Sequence, residues 1–223
     1  MTHPRLVSIQ VGMPRSMGTE GDRRDPPWFS GIFKHPVTGP VRLTRENLDG
    51  DGQAERRFHG GLDKALLAYC FDHYARWEAE LPGVSWHLGG FGENLTVSGL
   101  DEAGVCLGDR YGLGSVVLEV SEPRRPCSKL ARRLGVPDLV ARVHRTDRSG
   151  WYLRVVQEGR LEAGMPVTLL DRPHPEWPIT RIHAILNRPS DHRDAARALV
   201  EVPELSPSCR DGVLAKLSAV GEP

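Results

Sequence analysis

VCLGDRYGLGSVVLEVS, residues 105–121, sets three apolar or β-branched runs close together: Val105–Leu107, Tyr111–Leu113 and Val116–Ser121. Gly108, Asp109 and Gly114 stand between them, and such residues favour turns over helical continuation. The stretch therefore reads as short strands joined by tight connections. Working outward, Arg5–Val11 (RLVSIQV) alternates with a period of two, and Asn94–Val97, Trp151–Gln157 and Val167–Leu170 are further short apolar or β-branched runs. Strands this short at such spacing predict a mixed sheet curling toward a partly closed β-barrel within an α+β fold. The density of 24 glycines and 18 prolines points the same way, because it breaks the chain into short pieces.

Other segments complete the expected organisation. Gly12 to Phe29 is rich in Gly, Pro, Arg and Asp and reads as a long irregular region, followed by short strand candidates at Gly31–Lys34 and Val41–Leu43. Asn47–Gly61 is turn chemistry throughout. A helix is expected next, capped by Asp63, with Ala65, Leu66, Tyr69, Cys70, His73, Tyr74 and Trp77 on its apolar face and Leu81-Pro82-Gly83 at its end. A second helix is expected to begin near Cys127 and to stop at Gly135, which supplies a left-handed cap. Prolines in Asp171–Pro178 mark a boundary, dividing the chain into residues 1–172 and 173–223. The second part predicts three short helices: one around Ile179, Ile182, Ile185 and Leu186, one around Ala195, Ala196, Leu199 and Val200, and one capped by Ser206 with Pro207 in its first position. So short a tail is expected to pack on the sheet or on a second copy of the chain.

The composition excludes several classes. Lys and Arg number 29 against 29 Asp and Glu, so a role of coating nucleic acid or an anionic membrane is not expected. Met1 to Gln10 lacks the apolar stretch of a signal peptide, and a cytoplasmic location is expected. Cys70, Cys106, Cys127 and Cys209 are scattered singly, with no CxxC and no zinc-type cluster. There is no GxSxG elbow, no HExxH and no dinucleotide fingerprint.

Three segments carry candidate chemistry. In Val120–Leu130 (VSEPRRPCSKL) a strand gives way to a proline-bounded turn with Arg124 and Arg125, and Cys127 arrives where a helix begins, with Lys129 beyond it. Positive potential there favours a thiolate, which is a nucleophile and a soft metal ligand; the bland alternative is a small apolar group beside surface arginines. In Arg56–Lys64 (RRFHGGLDK), Gly60 and Gly61 before a helix would free backbone N–H groups for an anion, with Arg56, Arg57, His59 and Lys64 around them. A tight turn explains the same glycines. Gly89–Val97 (GGFGENLTV) brings Glu93 and Asn94 to a strand end, either at a site or at a bulge. Cys70, Cys106 and Cys209 read as core residues, with Cys106 in a strand.

Taken in order, GDGQAERRFHGGLDKALLAYCFDHY (50–74), FGENLTVSGL (91–100), VCLGDRYGLG (105–114) and VSEPRRPCSKL (120–130) resemble the MOSC domain, the family named for the carboxy-terminal domain of molybdenum cofactor sulfurase. The match is to the stand-alone YiiM-like branch, in which a small three-α domain follows. The resemblance implies a β-rich, partly barrel-like domain, a molybdenum cofactor (molybdopterin) and, at the matching position, Cys127 as the molybdenum ligand. Arg56, Arg57, His59, Gly60, Gly61, Lys64, Arg124, Arg125 and Lys129 become candidates for holding the cofactor, and Asn94 for donating to pterin or substrate. It also implies reduction of N-hydroxylated compounds, such as 6-hydroxylaminopurine, to amines, with His59 the candidate proton donor. Lacking a flavin or iron–sulfur pattern, the chain is expected to draw electrons from a separate, flavin-containing reductase, and a homodimer is compatible with the tail. The competing expectations are a module that binds the cofactor or carries persulfide sulfur without turnover, and a thiol enzyme using Cys127 as nucleophile with His59 as base.

Overall fold

The computed structural model describes residues 3–55 and 60–219. Its strands are β1 (Arg5–Val11), β2 (Arg15–Met17), β3 (Trp28–Ser30), β4 (His35–Val37), β5 (Val41–Leu43), β6 (Leu66–Cys70), β7 (Leu95–Ser98), β8 (Arg110–Leu113), β9 (Val116–Pro123), β10 (Trp151–Gln157), β11 (Gly159–Leu161) and β12 (Thr168–Asp171). The helices are α1 (Asp72–Glu80), α2 (Ser128–Leu134), α3 (Leu139–Thr146), α4 (Ile179–Asn187), α5 (Arg193–Val200) and α6 (Pro207–Ala219). Eight strands form one curled sheet in the order β12-β8-β9-β10-β6-β7-β1-β4, the half-barrel expected of this α+β chain. All its pairings are antiparallel except β6 with β7. Two separate antiparallel pairs, β11 with β5 and β2 with β3, complete the strands.

The opening stretch folds largely as read. Gly114, at φ +60°, and Ser115 turn β8 directly into β9, pairing Leu113 with Val116. Val105–Leu107, in contrast, is no strand. Cys106 makes a single bridge to Pro178 and donates its N–H to Asp109 Oδ2 at 2.9 Å, so a side chain closes this turn.

A larger correction concerns the helix expected from Asp63. Leu62–Lys64 is a single 3₁₀ turn, Leu66–Cys70 is strand β6, and the helix begins only at Asp72. All five residues of β6 are buried, because the strand lies between β10 and β7 with packed layers on both faces. A continuous apolar run suits such a strand, and its residues also fit a helical stripe over this length. Gly31–Lys34 is likewise not a strand: β3 ends at Ser30 and β4 begins at His35. The region from Gly12 to Phe29 contains β2 and pairs it with β3.

Two cores flank the sheet. Leu6, Ile9, Leu66, Leu95, Leu118, Val120, Trp151 and Leu153 belong to one, which continues without a break into Ile179, Ile182, Ile185, Leu199, Leu205 and Val213 of the carboxy-terminal helices. The tail therefore packs on the sheet of its own chain. Tyr69, Tyr74, Trp77, Phe91, Leu130, Leu139 and Val143 form the other, in which Tyr69 stacks on Phe91 with ring centroids 4.2 Å apart. Ser206 caps α6 as expected: its Oγ accepts from the Cys209 N–H at 3.1 Å, and Pro207 needs no partner in the first turn.

Candidate functional site

Strand β9 ends at Pro123, and the Arg124 N–H donates to the Gly150 carbonyl at 3.0 Å, so the backbone is anchored up to the turn. Pro126 then interrupts pairing, and Cys127 takes the extended conformation of an N-cap, φ −119° and ψ 167°, before the seven-residue helix α2. Gly135 closes that helix at φ +67° with its N–H on the Ala131 carbonyl. The strand–turn–helix read from VSEPRRPCSKL is thus present, and the Cys127 thiol is half-buried where the elements meet.

Cys127 faces a cavity of about 650 Å³ that includes open solvent at its mouth. Its walls come from the segment after β3 (Ile32, Lys34), the loop at Gly52–Glu55, Leu67 of β6, Phe91 and Asn94 before β7, Arg124 and Lys129 beside the thiol, and Tyr152 of β10. Five of the predicted residues, Lys64, Asn94, Arg124, Cys127 and Lys129, are brought together here. A second cavity on the side of α6 shares Lys64, Cys127 and Tyr152 with the first, and Arg125 lies there. Gly60 and Gly61 lead into Lys64 without lining either cavity, and the turn that follows them is too short to carry a helix dipole. Arg56, Arg57 and His59 lie outside the described residues.

The charges in the first cavity are of two kinds. Lys34 is buried and ion-paired to Asp51, and burial outweighs that partner in pushing the lysine below its ordinary pKa. Asp51 Oδ1 also accepts from the Gly12 N–H at 2.9 Å, and Oδ2 from Asn94 Nδ2 at 2.9 Å. Lys64 pairs with Glu122 at 3.0 Å. Among the described residues, in contrast, Arg124 and Lys129 form no ion pair. The Arg124 side chain is only 4% exposed, its Nη2 donates to the Phe91 carbonyl at 3.0 Å, and its Nη1 has no hydrogen-bond partner among the described residues. A buried guanidinium is costly unless something negative joins it, and an anion in this cavity would lower that cost.

Asn94 has a different part. Its Oδ1 accepts from the Leu67 N–H at 3.1 Å, and its Nδ2 donates to Asp51 and, at 3.3 Å, to the Gln10 carbonyl. With both kinds of group committed, it fastens β6 to the Asp51 loop and to β1. Glu93 is structural too: its carboxylate accepts from Tyr74, from the N–H groups of Gly89 (2.7 Å) and Phe91 (3.1 Å), and from Thr96 (3.0 Å). It folds the loop whose Phe91 carbonyl holds Arg124.

Sequence reasoning missed Lys34, Phe91, Glu122 and Tyr152 at the site. Lys34 sat inside a supposed strand and Tyr152 inside a correctly read one, so neither carried a local signal. The Tyr152 phenol is pushed up by burial, offset by Arg124 and reinforced by Glu122 and Cys127. The expectations for the other cysteines hold for burial: Cys70, Cys106 and Cys209 are all buried, although Cys106 lies in a turn. No three His, Cys, Asp or Glu side chains cluster as a metal site among the described residues. A metal at Cys127 would have to bring most of its ligands with it. No helix among the described residues is long and apolar enough to cross a membrane.

Comparison with known proteins agrees with this layout. The family model described as MOSC domain matches residues 55–168, and that described as YiiM-like, 3-alpha helix domain matches residues 177–219. The uncharacterized protein YflK of Bacillus subtilis is 42% identical over 167 residues, covering 75% of this chain and 73% of that protein. A protein named Reductase from Gibberella moniliformis is 39% identical over 160 residues, 70% of this chain but only 28% of that longer protein. The crystal structure of YiiM from Geobacillus stearothermophilus superposes with a TM-score of 0.79 at 36% identity, over 96% of this chain and 99% of the other.

Proposed function

The chain belongs to the MOSC domain family, with a YiiM-like three-helix domain after it, and on that premise we propose that it is a molybdenum-cofactor-dependent reductase of N-hydroxylated compounds. The reaction is R–NH–OH + 2 e⁻ + 2 H⁺ → R–NH₂ + H₂O: the N–O bond breaks, and new N–H and O–H bonds form. Electrons come from a separate flavin-containing reductase, consistent with the reductase name of one longer relative.

The observation that carries the reading is Arg124. Arg124, whose buried Nη1 has no hydrogen-bond partner among the described residues, lines the same cavity as Cys127, so the wall offers an anion site and a soft donor to one ligand. Those residues fit a phosphate-bearing pterin that carries its own metal ligands. When bound, the cofactor supplies the two-electron chemistry. Cys127 would complete the metal's coordination, while Arg124 and Lys129 would bind the anionic part. Lys34 is held away from direct charge pairing with the ligand by Asp51, and through Asn94 that pair fixes the cavity floor. Phe91 and Leu67 give the cavity apolar walls. His59 remains the proposed proton donor.

The test is turnover. Protein from a cofactor-competent host, supplied with a flavin-containing reductase or a chemical reductant, should convert 6-hydroxylaminopurine to adenine, and Cys127→Ser should lose that activity while keeping its fold. Cofactor without turnover of any N–OH compound would favour a carrier role, and turnover without molybdenum would favour thiol chemistry at Cys127.

A further inference from the structure

The second cavity lies between the turn at Cys127 and helix α6, whose Ser208, Cys209, Asp211 and Gly212 form one wall. Opposite stand Lys64, Tyr152 and Cys127, the three residues common to both cavities, so the two spaces meet at the thiol. The wall on α6 is fastened to the site through Glu122. This buried carboxylate pairs with Lys64 at 3.0 Å, accepts from Ser206 at the cap of α6, and accepts from Ser208 Oγ at 3.1 Å.

We infer that this second cavity is the substrate chamber, that helix α6 is its wall, and that Gly212 sets the size of molecule it admits. The inference rests on the reductase reading and extends it to a place and a chemical class. The first cavity carries the anion-seeking Arg124, whereas the second mixes signs: Arg125 and Lys64 face a space also lined by Glu122 and Asp211. Mixed charge disfavours a strongly anionic ligand. The Tyr152 ring, Leu186 and Cys209 add apolar surface, and Ser208 adds a hydrogen-bonding edge. A flat, uncharged heteroaromatic amine or hydroxylamine matches those walls. Gly212 is one of the lining residues on α6, and a Cβ there would meet no atom within 4 Å, so a side chain at this position has room to grow. In the interior of α6, replacing a glycine does not oppose the helix, so a larger side chain can fill the chamber without unfolding the wall.

The experiment is Gly212→Phe, with adenine as the binding probe. Calorimetric titration of adenine into the purified proteins should show binding by wild type that is weakened about tenfold or more in Gly212→Phe. In turnover, KM for 6-hydroxylaminopurine should rise about tenfold or more relative to KM for the much smaller hydroxylamine, and molybdenum content should match wild type. Absence of adenine binding by wild type, or adenine affinity and KM unchanged in Gly212→Phe, overturns the chamber. If wild type reduces neither N–OH compound but its adenine binding still responds to Gly212→Phe, the reductase reading falls and the chamber stands.

Discussion

The guanidinium of Arg124 donates to the carbonyl of Phe91 at 3.0 Å, and this contact positions a buried positive charge over the cavity at Cys127. The contact satisfies one nitrogen, and Nη1 has no hydrogen-bond partner among the described residues. Replacing Arg124 by Met removes a buried charge that has no counter-charge among the described residues, at the cost of one hydrogen bond, worth about 1 kcal/mol. The cofactor-free variant should therefore melt within a few degrees of wild type or above it, while cofactor retained through purification falls about tenfold or more. Calorimetry and pterin release measure the two effects separately. A strongly destabilised variant that keeps its cofactor would refute the ligand-binding role.

Phe91 supplies that carbonyl from a ring with no exposed surface, stacked on Tyr69 at 4.2 Å and on Trp77 at 5.9 Å. Phe91→Ala should cost about 3–5 kcal/mol, the range for deleting a buried aromatic ring. Urea unfolding of the cofactor-free protein checks this, and a loss under about 1 kcal/mol would mean that the second core is not packed as described.

Cys70 and Cys209 are pushed up to about 12, each chiefly by burial. Both thiols should remain unmodified by iodoacetamide at pH 8 while half-buried Cys127 reacts, a pattern that peptide mass spectrometry reads directly. In the unfolded chain these thiols ionise near their ordinary value of 9.0, and in the folded protein near 12, so their stabilising contribution is complete below about pH 9 and is lost as pH rises toward 12. At pH 10 the loss is about 1 kcal/mol per thiol. Cys209→Ala should flatten the alkaline limb of a stability–pH curve.

Ser206 caps α6 and donates to Glu122, so one hydroxyl ties the carboxy-terminal helices to the end of β9. Ser206→Ala should cost about 1–2 kcal/mol from the cap alone, with more from the carboxylate left short of a donor. Because one core runs from the sheet into α4, α5 and α6, the variant should still unfold in a single calorimetric transition. Two separated transitions would contradict that continuity.

Much of this arrangement was legible in the residues, and the exceptions have physical causes. Strand β1, the hairpin at Gly114 and the cap at Gly135 obey local rules, because alternation and positive φ are properties of a few adjacent residues. Leu66–Cys70 was read as helix because an all-buried strand has no alternation to betray it, and only its neighbours β10 and β7 decide the matter. Helix α3 went unread, although Leu139 and Val143 stand four residues apart on its buried face, because its eight residues give barely two turns of pattern. At the site, charge and spacing single out Arg124, Lys129 and Cys127, but not that Arg124 has no ion pair among the described residues while Lys34 and Lys64 find carboxylates. Pairing across the fold brings Asp51 to Lys34 and Glu122 to Lys64, and no local pattern encodes it.

The most direct test of the whole account is molybdenum and pterin content in protein purified from a cofactor-competent host, measured for wild type and for Cys127→Ser. Near-stoichiometric metal and pterin are expected in the wild type, and markedly less metal in a folded Cys127→Ser. Neither metal nor pterin in folded wild-type protein, or equal metal in the two proteins, would contradict it.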